Sequence, residues 1–200
     1  MQIEGKVGAQ DLSSGSVGPL RIDTDGVLIV KAGGGRLAEA AIAGRLFSAA
    51  NQTPVNTSTT LNTTFTGLAL ANPTGSGKLL VVHEFGWALD QAAAGDAVLA
   101  LGITTYSAEY AAAITPRCAR YAYATSVAIV DNGATIVAPV LIKIIGSIGT
   151  NATTALTNPG LIDIGGSIVL SPGYVLVTDT TLATGATSIQ FHFLWEEVDE

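Results

Sequence analysis

The apolar residues from position 59 onward come in short runs separated by Gly, Pro, Asn, Asp and Ser. Over 59–70, Leu61, Phe65 and Leu68 stand among Thr and Asn in loose alternation. Residues 78–89 hold Leu79-Leu80-Val81-Val82, then Phe85 and Trp87. Val98, Leu99, Leu101 and Ile103 mark a run over 97–106, and Tyr121, Tyr123, Thr125, Val127 and Ile129 alternate over 121–130. Further runs cover 135–145, 161–170, 174–178 and 188–195. Alternation and apolar runs of this length, bounded by turn residues, predict β-strands. Asn72-Pro73-Thr74-Gly75-Ser76-Gly77 predicts a turn. Asp131-Asn132-Gly133 predicts a hairpin between its flanking strands, because Asn and Gly take positive φ cheaply. Beyond residue 50 no i, i+3, i+4 spacing argues for a helix. The expectation is an all-β body of about eight antiparallel strands, a jelly-roll-like β-sandwich, with a generic sandwich as the competitor. The absence of an internal repeat argues against a β-helix or propeller.

The first fifty residues read differently. Gly5, Gly8, Ser13, Ser14, Gly15, Ser16 and Gly18 dominate the start, and one short apolar run, Val27-Leu28-Ile29-Val30, lies between Asp25-Gly26 and Gly33-Gly34-Gly35. Such a segment buries too little surface to offset its ordering entropy alone. Residues 36–50 are Ala-rich and fit either a short helix broken at Gly44 or extended chain. The expected organisation is an extended N-terminal arm over 1–50, with a possible short helix, and a β-sandwich body over 51–200.

Charge narrows the partners. Lys and Arg number 9 and Asp and Glu 16, giving −7, and only 12% of residues are charged, about half the usual share of roughly 25%. Thr, Ser, Asn and Gly, together with partner subunits, are expected to cover the rest of the surface. The arm's charges balance, so the acidity lies in the body. Direct nucleic-acid binding needs a basic face and is not expected. The most apolar stretch, 136–148, is broken by Pro139, Lys143 and Gly146. It falls short of the roughly 20 apolar residues of a membrane span, so no membrane partner is expected. The opening Met1-Gln2-Ile3-Glu4-Gly5-Lys6 has no apolar leader region. With Cys118 as the lone cysteine, no intrachain disulfide framework is possible. Glu196, Glu197, Asp199 and Glu200 read as a solvated tail.

Candidate chemistry is sparse. Gly75-Ser76-Gly77-Lys78 invites a phosphate-loop reading. The signature fails at Asn72, where a Gly is required, and at Leu79, where the magnesium-binding hydroxyl belongs. His83-Glu84 lacks a second His four residues on, and the only other histidine is His192. A structural role for each outweighs a metal site, which needs three or four ligands. Cys118 lies between Arg117 and Arg120, whose charges could lower its pKa, but nothing brings a base to it. Glu196 and Glu197 are adjacent and so point to opposite faces of a strand. Phe191, Phe193 and Trp195 share one strand face. A carbohydrate platform is conceivable there, but a core face or subunit interface is the expectation in a chain with 6% aromatic residues. Asn51-Gln52-Thr53, Asn56-Thr57-Ser58, Asn62-Thr63-Thr64 and Asn151-Ala152-Thr153 match the glycosylation pattern and read as Thr-rich surface. No catalytic, cofactor-binding or metal residue is assigned.

Four stretches carry a resemblance. The run from Gly35-Arg36 through Glu39-Ala40, Gly44 and Phe47 to Ala50 resembles a segment of an uncharacterised family of tailed-phage virion proteins. Leu70-Ala71-Asn72-Pro73-Thr74-Gly75-Ser76-Gly77-Lys78 and the ending Trp195-Glu196-Glu197 are similar to that family's turn and terminus. Gly165-Gly166-Ser167-Ile168-Val169-Leu170-Ser171-Pro172-Gly173-Tyr174 resembles the strand, Pro-Gly turn, strand unit of trimeric viral jelly rolls. The resemblance implies a virion structural component without enzymatic activity, and the opening without an apolar leader and the lone Cys118 fit assembly in a host cytoplasm. The leading expectation is a capsid decoration, or cement, protein: a homo-trimer whose arm reaches over the major capsid protein. The alternative is a tail, baseplate or head-fibre protein binding host surface glycans, with a wall hydrolase a distant third.

Overall fold

Most of the apolar runs become strands. The computed structural model describes residues 37–52, 67–89, 96–107, 110, 114–132, 139–148, 160–181 and 189–200. The chain divides into two units, Met1–Glu39 and Ala40–Glu200, and nearly everything described lies in the second. The elements are α1 Ala38–Ile42, β1 Leu46–Ala50, β2 Ala69–Asn72, β3 Lys78–Leu89, β4 Ala97–Thr105, β5 Arg117–Cys118, β6 Ile129–Asp131, β7 Val140–Ile148, β8 Gly160–Leu170, β9 Tyr174–Thr180 and β10 Ile189–Asp199. Among the described residues no helix is long and apolar enough to cross a membrane.

Two antiparallel five-stranded sheets form, in the orders β5-β1-β10-β3-β8 and β6-β2-β9-β4-β7. The long strands pair in a nested way: β1 with β10, β2 with β9, β3 with β8, β4 with β7. The chain from β1 to β4 thus lies antiparallel to the chain from β7 to β10, like one long hairpin folded over on itself. One core draws side chains from both sheets, including Phe47, Phe85, Phe191, Phe193 and Trp195 from the first and Leu70, Leu99, Leu101 and Leu176 from the second. On β10 the alternation is complete: Ile189, Phe191, Phe193, Trp195 and Glu197 are buried, and the residues between them half-buried. The aromatic row is therefore a core face. Phe85 stacks on Phe191 with centroids 5.9 Å apart, and Phe47 on Trp195 at 6.2 Å. A smaller apolar cluster of Ala69, Ala71, Val175 and Val177 packs with Tyr106 and Tyr110.

Three expectations about elements are corrected. The arm does not extend to residue 50. The short helix broken at Gly44 does form, Ala38–Ile42 being helical and Gly44 turning the chain at φ 73°, but Leu46–Ala50 pairs along β10 within the first sheet. Phe47 and Ala49 supply the inward face that makes this segment a strand; residues 1–36 lie outside the described structure. The alternation over 121–130 is not a strand before Ile129. Tyr121 and Tyr123 are exposed on a turn, and only Ile129–Asp131 pairs, with β2. Nor do the strands flanking Asp131-Asn132-Gly133 form a hairpin, because β6 and β7 sit at opposite edges of the second sheet. Local turn chemistry there yields to the core packing of Val130 beside β2 and of Ile145 and Ile148 beside β4.

The predicted turn at 72–77 forms and is tied together by a buried asparagine. Asn72 Nδ2 donates to the Lys78 and Leu170 carbonyls at 2.7 and 2.9 Å, and its Oδ1 accepts from Ser76 Oγ at 2.6 Å. Gly75 and Gly77 take φ of 78° and 66°. The Lys78 ammonium pairs with Asp199. The segment connects the two sheets.

Candidate functional site

Surface chemistry gathers at one edge of the first sheet. There β5 pairs with β1, with Cys118 opposite Phe47 and Arg117 opposite Ser48. Strand alternation turns Cys118 into the core, where its thiol lies 3.7 Å from the Gly44 carbonyl, and turns Arg117 out. Arg117 is exposed, and its guanidinium makes no hydrogen bond or ion pair among the described residues.

The segment after β5 is held at several points. Ala119 N donates to the Leu46 carbonyl at 2.8 Å. The Arg120 guanidinium donates to the Ile42 carbonyl at 3.0 Å and lies 3.8 Å above the Tyr123 ring centroid. The same ring occupies the space a side chain at position 44 would need; a Cβ there would come within 2.2 Å of it, so Gly44 serves both its turn and this contact. At the far end, Ser126 Oγ and Val127 N donate to the Glu197 carboxylate, Val127 at 3.1 Å. Trp195 Nε1 adds a donor at 3.4 Å. Between these anchors Ala122 sits at φ 57°, a left-handed conformation that costs a non-Gly residue about 1–3 kcal/mol. Tyr121, just before it, is 85% exposed.

Two depressions flank Arg117. One, of about 310 Å³, runs past Pro116, Tyr121, Tyr123 and Thr125. The other, of about 540 Å³, runs past Ser48, Gln52, Asn132 and His192. Thr115 and Arg117 line both. Burial holds the proton affinity of His192 below its ordinary value, partly offset by Glu84, so its ring is neutral at pH 7 and can both donate and accept.

Other candidate residues fall elsewhere. His83 is the bulged residue of β3: the register along β10 passes from Val82 to Glu84 between Trp195 and Leu194. Its Nε2 lies 3.6 Å from Glu196, which also accepts from Arg45 at 3.0 Å. Among the described residues no three His, Cys, Asp or Glu side chains converge as metal ligands. The reading of 196–200 as a solvated tail holds for Asp199 and Glu200, which are exposed, and is overturned for Glu196 and Glu197. Both glutamates lie within β10, Glu197 on its inward row and Glu196 in an ion pair. Asn51 is also misread as surface: it is buried, with Nδ2 donating to the Ile189 carbonyl and Oδ1 accepting from Phe191 N at 2.6 Å. Asn56, Asn62 and Asn151 lie outside the described residues. The sequence reading weighed Arg117 only as a neighbour of Cys118; its pairing with β1, which turns it outward, has no local signal.

No family model, curated protein or solved structure matches this chain.

Proposed function

We propose that this chain is a non-enzymatic structural protein of a tailed-phage particle, a capsid decoration protein that works as a homo-trimer seated on the major capsid protein. The nested strand pairing supports a jelly-roll reading of its body, since it is the order of two interleaved Greek keys. The observation that carries the assembly reading is the pair of long edge strands. Val140, Ile142 and Ile144 of β7 are 65%, 44% and 70% exposed, and Leu161 and Val169 of β8 are exposed too. Each strand carries a single charge, Lys143 on β7 and Asp163 on β8. Apolar edges of this length, so thinly charged, call for a partner surface, and a second copy of the chain supplies one. The register shifts between β4 and β7 twist that edge, which favours side-chain packing over a continued hydrogen-bond ladder.

The test is copy number per particle, from quantitative mass spectrometry of purified virions against the major capsid protein. The decoration role predicts a fixed ratio comparable to the shell protein. A handful of copies would move the chain to a tail or vertex and overturn it.

A further inference from the structure

A chain of net charge −7 has few cations, and the fold employs several of those described. Lys78 is held by Asp199, Arg45 by Glu196, and Arg120 by the Ile42 carbonyl and the Tyr123 ring. Among the described residues the Arg117 guanidinium has no such structural use, and it lines both depressions.

We propose that this groove binds an acidic saccharide, with the Arg117 guanidinium pairing a sugar carboxylate and the Tyr121 ring receiving a sugar face. A guanidinium presents a fork of donors matched to a carboxylate. Around it, Ser48, Gln52, Thr115, Asn132 and His192 provide the hydroxyl, amide and imidazole groups that exchange hydrogen bonds with sugar hydroxyls. The groove suits a peptide less well, because β5 offers only two residues of ladder to an added strand. The left-handed Ala122 carries Tyr121 into solvent, and the anchors at Gly44, Ile42 and Glu197 hold the turn in that shape before any ligand arrives. A held turn spares a ligand the cost of ordering it. The inference is independent of the virion reading, since a groove of this kind would act the same way on any particle or on none.

The test is a printed array of uronic-acid and sialic-acid glycans, matched neutral glycans and polyglutamate. It is probed with the full chain and with its Arg117→Ala and Tyr121→Ala variants. Both side chains are exposed, and thermal melts confirm that each variant folds. The expected result is binding confined to acidic glycans, weakened about tenfold or more by Arg117→Ala and less by Tyr121→Ala. The proposal is overturned if no acidic glycan binds, if neutral glycans bind equally, or if Arg117→Ala leaves binding unchanged. Capture of polyglutamate as strongly as of the sugars would also overturn it, making the groove an acidic-peptide site.

Discussion

At one pair of sheet edges the strands are short: β5 has two residues and β6 three. The chain between them is tied to β1 and β10, and the Ile114–Val130 bridge links its approach to β6. At the other pair, β7 has nine residues and β8 eleven, and large apolar side chains stand in solvent along both. The first pair is finished within one chain by polar anchors and a crossing segment. The second is built as though another surface completes it. Length, charge and cover therefore set the two pairs of edges apart.

The finished edges depend most on Glu197. Replacing it with Ala leaves Ser126 Oγ, Val127 N and Trp195 Nε1 without their acceptor in a buried site. The expected loss is about 3 kcal/mol in denaturant unfolding, and Glu197→Gln, which keeps one acceptor, should lose less. A loss below about 1 kcal/mol would mean that the crossing segment is held by something other than this carboxylate.

A smaller effect is expected on the open side. The Trp87 indole lies over Gly160 of β8, and a Cβ there would fall 1.8 Å from Cη2. Gly160→Val should displace the indole from its stack on Phe85 and cost roughly 2 kcal/mol, with a red shift in tryptophan emission. Unchanged emission would place the indole elsewhere.

The smallest expected effect is a pH response on the outer face of the first sheet. His192 has its proton affinity lowered by burial, so the folded chain binds its proton more weakly than the unfolded chain does. Stability from this group is complete above its ordinary value of 6.5 and is lost as pH falls below that, through the lower folded value. His192→Gln should flatten that acid limb in melts followed between neutral and mildly acid pH. An unaltered slope would assign it to other groups.

Much of this architecture is legible in the sequence because most strands alternate or run apolar over their whole length. The runs at 78–89, 97–106, 161–170 and 174–178 match β3, β4, β8 and β9 to within a residue or two. What alternation cannot show is a slip. At His83 the inward row passes from Leu80 and Val82 to Phe85, a spacing of three that only the bulge explains. Alternation also overreaches: Tyr121 to Ile129 has the period of a strand, but Glu197, seventy residues on, captures the backbone at Val127 and holds the chain in a turn. Arg117, Ser48 and His192 come together only through the pairing of β5 with β1 and of β1 with β10. The groove is a product of long-range register and leaves no local motif.

The claim that the long edges are made to be covered is tested most directly by sedimentation velocity. The full chain is compared with its Val140→Lys, Ile144→Lys double variant. Both side chains are largely exposed, so the variant should unfold within about 0.5 kcal/mol of the parent protomer. The parent is predicted to sediment as a homo-trimer and the variant as a monomer. A parent that is monomeric, or a variant that still assembles, would contradict the account.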